Sequence, residues 1–469
     1  MTDPAARQAD RHDRPETGRP VPRATRPAGG GAEALTGRTV AALGALVIAM
    51  ATLTPGLNEQ TYTGFCIVCG NAGGQDFLDN VLLFVPFALG LRLAGATTRR
   101  TIATGFLCSV GVELLQRWVI PGRDASVGDV VANTLGAAGG ALLAAHWRAL
   151  LFPAPRAARR LAALGAGAWL LVVAITAWAM GRSLPPEPAG YGIEWTPREP
   201  DGRRYDGDVV GATLAGVPSG PGAARVELPL APGVAPDSTM RRVFDRAALR
   251  LDVSFTAERA PTSRGEPIVR VATPDSADVV VLSSRRCGVA FVPRTRAADL
   301  RMRAPSVAAP RVLPCGTPAV HAGDTLHARA WMAGGHLVLE LRGPHRDVTA
   351  TATAALTAGL GWSLFFPWSP AINGTAAAIL TALWLGGLLL PAGYWAARGW
   401  PARAKATTGT LAVVGLALVA IGLGAVPAAS AIAPTPPSAW LAALAGAALG
   451  WRLGRGAPNE ASGSRVSVG

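Results

Sequence analysis

Windows near residues 38–56, 77–95, 101–120, 128–150, 161–181, 372–396, 407–429 and 437–453 are each apolar and long enough to cross a lipid bilayer. A hydrocarbon core takes about 20 mostly apolar residues as a helix, because lipid offers backbone N–H and C=O groups no partner outside the helix. The chain is therefore expected to be a polytopic α-helical membrane protein of about eight spans. Half of its 469 residues are hydrophobic, as such a fold requires.

Charge orients the spans. The formal charge is +14, and Lys405 is the only lysine. The arginines are not gathered on one face or interleaved with aromatics, so no nucleic-acid partner is expected. They fall instead at alternate connections: Arg38 before the first window, Arg99 and Arg100 between the second and third, and Arg148, Arg156, Arg159 and Arg160 between the fourth and fifth. Arg398, Arg403 and Lys405 then lie between the sixth and seventh, and Arg452 and Arg455 after the last. Cytoplasmic loops carry the excess of Arg and Lys, so both termini are expected in the cytoplasm of a multi-pass protein of the plasma membrane. Residues 1–37 are too long and too acidic for the leading region of a signal peptide and read as a disordered cytoplasmic tail, as do residues 454–469.

Residues 182–371 are soluble in character and fall on the extracytoplasmic side in this scheme. In "ALRLDVSFTA", Leu249, Leu251, Val253 and Phe255 alternate at period two, and "DTLHARAWMAGGHLVLELRG" holds two alternating runs around Ala333-Gly334-Gly335. Short strands without a convincing amphipathic helix predict an inserted all-β sandwich. His327, Arg329 and Trp331 are out of phase with its apolar positions and should point outward. Cys287 and Cys315 lie in this oxidising compartment and are disulfide candidates. Cys66 and Cys69, in "FCIVCG", could form a redox couple, half a zinc site or a local disulfide; a structural disulfide is favoured, since no His lies nearby in sequence. No cofactor and no metal site is expected.

The polar residues of the first four windows stand out. Asp76, Asp79 and Asn80 lie at the mouth of the second window, Glu113 and Gln116 in the outer half of the third, Arg123 and Asp124 in a short connection, and Asp129 and Asn133 at the start of the fourth. Glu113 and Gln116 are i, i+3, while Asp129, Asn133 and Gly136 follow i, i+4, i+7 on one helical face. Gly136, Gly139 and Gly140 would let a neighbouring helix approach closely. Ionisable groups at bilayer depth are costly and usually functional. Two readings stand: interhelical glue, or a ligand or reaction site.

"DFLDNVLLFVPFALG", then "ELLQ", then "RDASVGDVVANTLGAAGG" resembles the VanZ-like family of bacterial membrane proteins. The family's pattern maps onto Asp76, Asn80, Phe84, Pro86, Glu113, Gln116, Arg123, Asp129, Asn133 and Gly136, with Ala88 standing where the family usually has Gly. The resemblance covers residues 38–150, a four-helix membrane domain. It is followed by a fifth transmembrane helix (151–181), the β-sandwich (182–371) and three C-terminal transmembrane helices (372–453). The sandwich resembles the concanavalin A-like (LamG-type, jelly-roll) domain that some members carry, which implies contact with surface glycan or protein.

The family resemblance implies a cell-envelope role linked to glycopeptide (teicoplanin-type) resistance. Asp76, Asn80, Glu113, Gln116, Arg123, Asp129 and Asn133 would form an outer-leaflet pocket for membrane lipid or a lipid-linked cell-wall intermediate. The alternative is an intramembrane enzyme acting on such a precursor, with Glu113 as general acid or base; a non-catalytic protein is favoured.

Overall fold

The computed structural model describes residues 30–55, 71–199, 202–218, 224–258, 265–285, 287–314, 320–344, 348–365, 370–400 and 405–457. Cys66, Cys69, Cys315 and most of the two expected tails lie outside these residues. The early apolar windows fold as helices α1 (Gly30–Thr52), α2 (Gly73–Leu93), α3 (Thr98–Trp118), α4 (Val127–Leu151) and α5 (Pro155–Ala179). α1 starts inside the expected tail, where "AEAL" after Gly30-Gly31 supplies good helix formers. Local chemistry sets the other starts. The Thr97 side chain accepts from Arg100 N, the Ser126 side chain accepts from Asp129 N, and Pro155 opens α5 without needing a donor.

The strands between α5 and the last helices form two six-stranded antiparallel sheets. One has the order β4 (Gly233–Ala235), β1 (Tyr191–Trp195), β6 (Glu266–Ala272), β7 (Asp278–Arg285), β8 (Gly288–Pro293), β9 (Val307–Ala309). The other runs β12 (Val348–Ala355), β11 (His336–Arg342), β10 (Thr325–Ala333), β5 (Ala248–Thr256), β2 (Val209–Val217), β3 (Val226–Pro229). The period-two reading of β5 holds: Leu249, Leu251, Val253 and Phe255 are buried, and they share one core with Val269, Val280 and Phe291 of the other sheet. On the outward face of the second sheet Ser254 Oγ and His327 Nδ1 lie 2.8 Å apart, and Arg329 Nε donates to Asp252 Oδ1 at 3.0 Å. One expectation needs correction. The region does hold an amphipathic helix, α6 (Asp237–Phe244), with Met240, Val243 and Phe244 buried. At two turns it is too short for its period to emerge from the flanking strands. Cys287 is disulfide-bonded, and Val312 N and Leu313 N donate to its carbonyl at 2.7 and 3.0 Å, bringing the segment that leads to Cys315 beside it.

After the sheets come α7 (Thr375–Gly399), α8 (Lys405–Ala420), a π-helical turn at Ile421–Ala425, α9 (Val426–Ala429) and α10 (Pro437–Gly456). Among the described residues, Ala34–Thr52, Val127–Leu151, Pro155–Ala179, Thr375–Gly399 and Gly409–Ala429 are long and apolar enough to cross a membrane. α2, α3 and α10 stand at the other expected spans.

Small residues bring the helices together. A Cβ on Gly446, Gly450 or Gly454 of α10 would stand 2.2 Å from Gly386 O, 2.0 Å from Leu390 O or 2.5 Å from Tyr394 O of α7. In the first group, a Cβ on Gly136 or Gly140 of α4 would stand 2.1 or 2.3 Å from Val81 O or Val85 O of α2. Gly139, expected to share this role, faces open space. Without a hydrophobic drive in lipid, such close approach is a main source of helix association.

The two-sheet domain rests on one end of this helical layer. Gly74 N and Gln75 N at the start of α2 donate to Arg301 O at 3.1 and 3.4 Å, and Arg296 N donates to Gly181 O, just past α5, at 2.7 Å. Trp362 Nε1 donates to Thr381 Oγ1 of α7 at 2.9 Å. The β10–β11 turn, Gly334-Gly335 with φ +52° and +76°, packs so tightly on the α9–α10 connection that a Cβ on Gly335 would meet Ala433 N at 2.1 Å.

Candidate functional site

All seven expected site residues gather at the ends of α1 to α4 that face the two-sheet domain. α1 and α3 end there, and α2 and α4 begin there. Backbone groups left over at those ends account for many of the contacts, since the last carbonyls and first amides of a helix have no partner within it.

Arg123 and Gln116 close α1. Arg123 Nε donates to Thr54 O at 3.1 Å and its Nη2 to Ala51 O at 2.8 Å, while Gln116 Nε2 donates to Thr52 O at 2.9 Å. Glu113, 3% exposed, opens α4: its Oε2 accepts from Ser126 N at 2.6 Å. Ser126 Oγ in turn accepts from Asp129 N at 3.3 Å. Deeper, Asn133 Nδ2 donates to Ser109 Oγ at 2.8 Å, whereas its buried Oδ1 has no hydrogen-bond partner among the described residues.

The remaining groups are carboxylates. Asp76 and Asp129 sit in the first turns of α2 and α4, where a negative charge complements the helix dipole. Asn80 lies beside Asp129, and Gln75 Nε2 donates to Asp79 Oδ2 at 3.5 Å. Asp76 lies within electrostatic range of Asp129, of Arg123 and of Arg303, which comes from the two-sheet domain. Yet Asp76, Asp79, Asp129, Arg123 and Arg303 make no ion pair within 4.0 Å among the described residues. Nor do any three His, Cys, Asp or Glu side chains among those residues stand close enough to hold a metal ion.

Ser126, Ser109 and Arg303 were not singled out from the sequence. Ser126 was legible, since Ser-Val-Gly-Asp ahead of an apolar run is a helix N-cap pattern. Ser109 looks like any small residue of an apolar window. Arg303 is far from α2 in sequence and reaches it through the folded domain.

Phe84, fully buried, packs edge-on against Phe87 with ring centroids 6.3 Å apart. Ala88, also buried, sits against Gly140, so a methyl is accommodated at the one position where the motif departs from the family pattern. No curated protein matches the chain, and neither does any solved structure. Residues 39–150 match the model of the VanZ/LLP1 family, and these residues, which include the belt of seven polar site residues from Asp76 to Asn133, form a VanZ-like domain.

Proposed function

We propose that this is a VanZ-like cell-envelope protein whose four-helix domain holds a polar pocket for a lipid-linked or amphipathic envelope ligand, open on the extracytoplasmic side. One observation carries the reading: Asp76, Asp79 and Asp129 share the domain-facing end with Arg123 and Arg303, yet none makes a contact ion pair among the described residues. Charges kept near a bilayer without a countercharge in contact are costly, and binding is the usual reason for keeping them. In this reading Asp76, Asn80, Asp129 and Arg123 meet the ligand, and Glu113, Gln116 and Asn133 hold the helices around it. In this reading the chain has eight spans with both termini cytoplasmic, and the pocket lies in the outer leaflet. The two-sheet domain, a concanavalin A-like sandwich in this view, lies above it and contacts glycan or protein through the face bearing His327, Arg329 and Trp331. If the VanZ-like resemblance extends to glycopeptide resistance, teicoplanin susceptibility is the readout.

The test is to express Asp76→Asn and Asp129→Asn in a host whose teicoplanin susceptibility depends on the protein. Both variants should lose the protective effect while accumulating in the membrane like the wild type. Protection that persists, or that falls only in step with protein abundance, would leave the belt as helix glue.

A further inference from the structure

Four arginines gather where α5 leaves the helical layer and the chain enters the two-sheet domain. Arg182 follows α5 and forms an antiparallel bridge with Thr295, which stands between Arg294 and Arg296. Arg296 N donates to Gly181 O at 2.7 Å, and a Cβ on Gly181 would stand 3.2 Å from Arg296 Nη1. Arg182 Nη2 donates to Arg246 O at 2.5 Å, which brings in the segment after α6. A Cβ on Gly216 of β2 would stand 2.6 Å from Arg246 Cγ, so this glycine makes room for the Arg246 stem.

These charges are poorly offset. Arg294 Nη2 and Ser183 Oγ both donate to Asp299 Oδ1, at 3.1 and 2.8 Å, so the carboxylate of this junction is already engaged. Arg182, Arg246 and Arg296 make no contact ion pair among the described residues. Burial pulls the Arg182 guanidinium below its usual range, and Asp245 offsets this only in part. Arg182 Nη1, Arg246 Nε and Arg294 Nε are buried without a hydrogen-bond partner, and Arg294 is only 7% exposed. A buried donor on a charged group that lacks an acceptor is costly. The nearby ends of α5 and α6 favour cations through their dipoles, but that effect is weaker and gives these nitrogens no acceptor.

We propose that this cluster binds a phosphate-type oxyanion, held chiefly between Arg182 and Arg246, with Arg296 adding charge. Arginine suits the task because its planar, permanently charged fork can give two parallel hydrogen bonds to phosphate oxygens. Arg182 and Arg246 are only partly buried, so an anion arriving from solvent meets them first. A small turn of each guanidinium then brings Nη1 and Nε onto its oxygens. The site is separate from the polar belt of the VanZ-like domain and does not depend on the function proposed for that belt.

The thermal midpoint of the full chain in detergent tests it, titrated in two arms. One arm adds inorganic phosphate, with chloride at equal ionic strength as control; the other adds short-chain phosphatidylglycerol, with diacylglycerol of the same chain length as control. The wild type should show a saturable rise in at least one arm. A rise with inorganic phosphate makes the free anion sufficient, and a rise with phosphatidylglycerol alone assigns the phosphate to a lipid headgroup. Arg246→Gln keeps the carbonyl that Arg182 binds and should weaken binding about tenfold, the loss of one charged hydrogen bond. Arg182→Lys keeps the charge without the fork and should weaken it by a similar factor. Arg452→Gln, on α10 at the opposite end of the helical layer, should respond like the wild type.

The proposal is overturned if neither probe raises the wild-type midpoint above its control, or if Arg246→Gln and Arg182→Lys both respond like the wild type. An equal loss in Arg452→Gln also overturns it, because any arginine would then serve.

Discussion

At the end of the helical layer away from the two-sheet domain, arginines and indoles finish the helices. Arg159 Nε donates to Gly399 O at 2.9 Å and lies 5.4 Å from the Trp400 ring, and Arg398 Nη1 donates to Ala457 O at 2.9 Å. Trp395 Nε1 donates to Leu150 O at 2.8 Å. At the domain-facing end Arg123 and Gln116 do the same for α1, but Asp76, Asp79, Glu113 and Asp129 are present as well. No Asp or Glu occurs anywhere from residue 374 to 457. Closing helix carbonyls therefore needs cations, amides and indoles, and it needs no carboxylate. Glu113 has a closing role at an N-terminus through Ser126 N. Asp76, Asp79 and Asp129 close no helix carbonyl; Asp76 and Asp129 complement the starts of α2 and α4, and under the proposed function Asp76 and Asp129 also face the ligand.

That comparison presupposes that the helices keep their spacing along the whole layer, and the glycine contacts make this breakable. Gly450→Leu and Gly136→Leu would each drive a side chain into a backbone carbonyl, 2.0 and 2.1 Å from the position of the added Cβ. Overpacking against movable side chains costs about 1–3 kcal/mol, and a backbone cannot give way so easily. Both variants should fail to yield monodisperse protein by size-exclusion chromatography in detergent. Gly139→Ala, which meets nothing within 4 Å, should accumulate normally and gain up to about 1 kcal/mol from helix propensity. A well-behaved Gly136→Leu would mean that α2 and α4 are not held by close approach, and the two ends could then no longer be compared as parts of one layer.

Much of this arrangement was legible in the sequence for reasons that differ by region. Apolar windows predict helices because lipid leaves the backbone no alternative, so α1 to α5, α7 and α10 lie near where they were expected. Period two in β5, β10 and β11 follows from a sheet with one buried face, and Gly334-Gly335 marked its turn. The seven belt residues came from their cost in an apolar setting together with the family motif. What stayed hidden depends on contacts distant in sequence. Arg123 looks like a ligand-binding arginine in a loop, and only the position of the α1 end, at Ala51 and Thr54, shows that it also closes a helix. Arg303 reaches Asp76 because the two-sheet domain docks its Arg301 carbonyl on the start of α2.

If the arginines at the two ends are equivalent as helix closers, their loss should cost the same. Hydrogen bonds from a charged donor contribute about 1.5–3 kcal/mol, less where water can replace them. Arg123→Ala and Arg159→Ala should each lower stability by about 2 kcal/mol, read as a reduced thermal midpoint in detergent. If the proposed function holds, the two should differ: Arg123→Ala should also lose protection against glycopeptide at a temperature where the protein remains folded, whereas Arg159→Ala should keep it. Loss of protection in both would erase the distinction between the ends.

The finest division within the belt falls at Glu113. Its Oε2 holds Ser126 N at 2.6 Å, a bond that needs an acceptor but not a negative charge. Glu113→Gln retains a carbonyl oxygen for that bond and should shift stability by no more than about 1 kcal/mol, whereas Glu113→Ala leaves a buried N–H unpaired and should cost about 1–3 kcal/mol. If holding the start of α4 is the whole of its role, Glu113→Gln protects against glycopeptide like the wild type and Glu113→Ala loses protection only as far as it loses folded protein. A folded Glu113→Gln without protection would instead require the carboxylate itself. That outcome would move Glu113 from the helix-holding part of the belt to the ligand-facing part and revive its reading as a general acid or base.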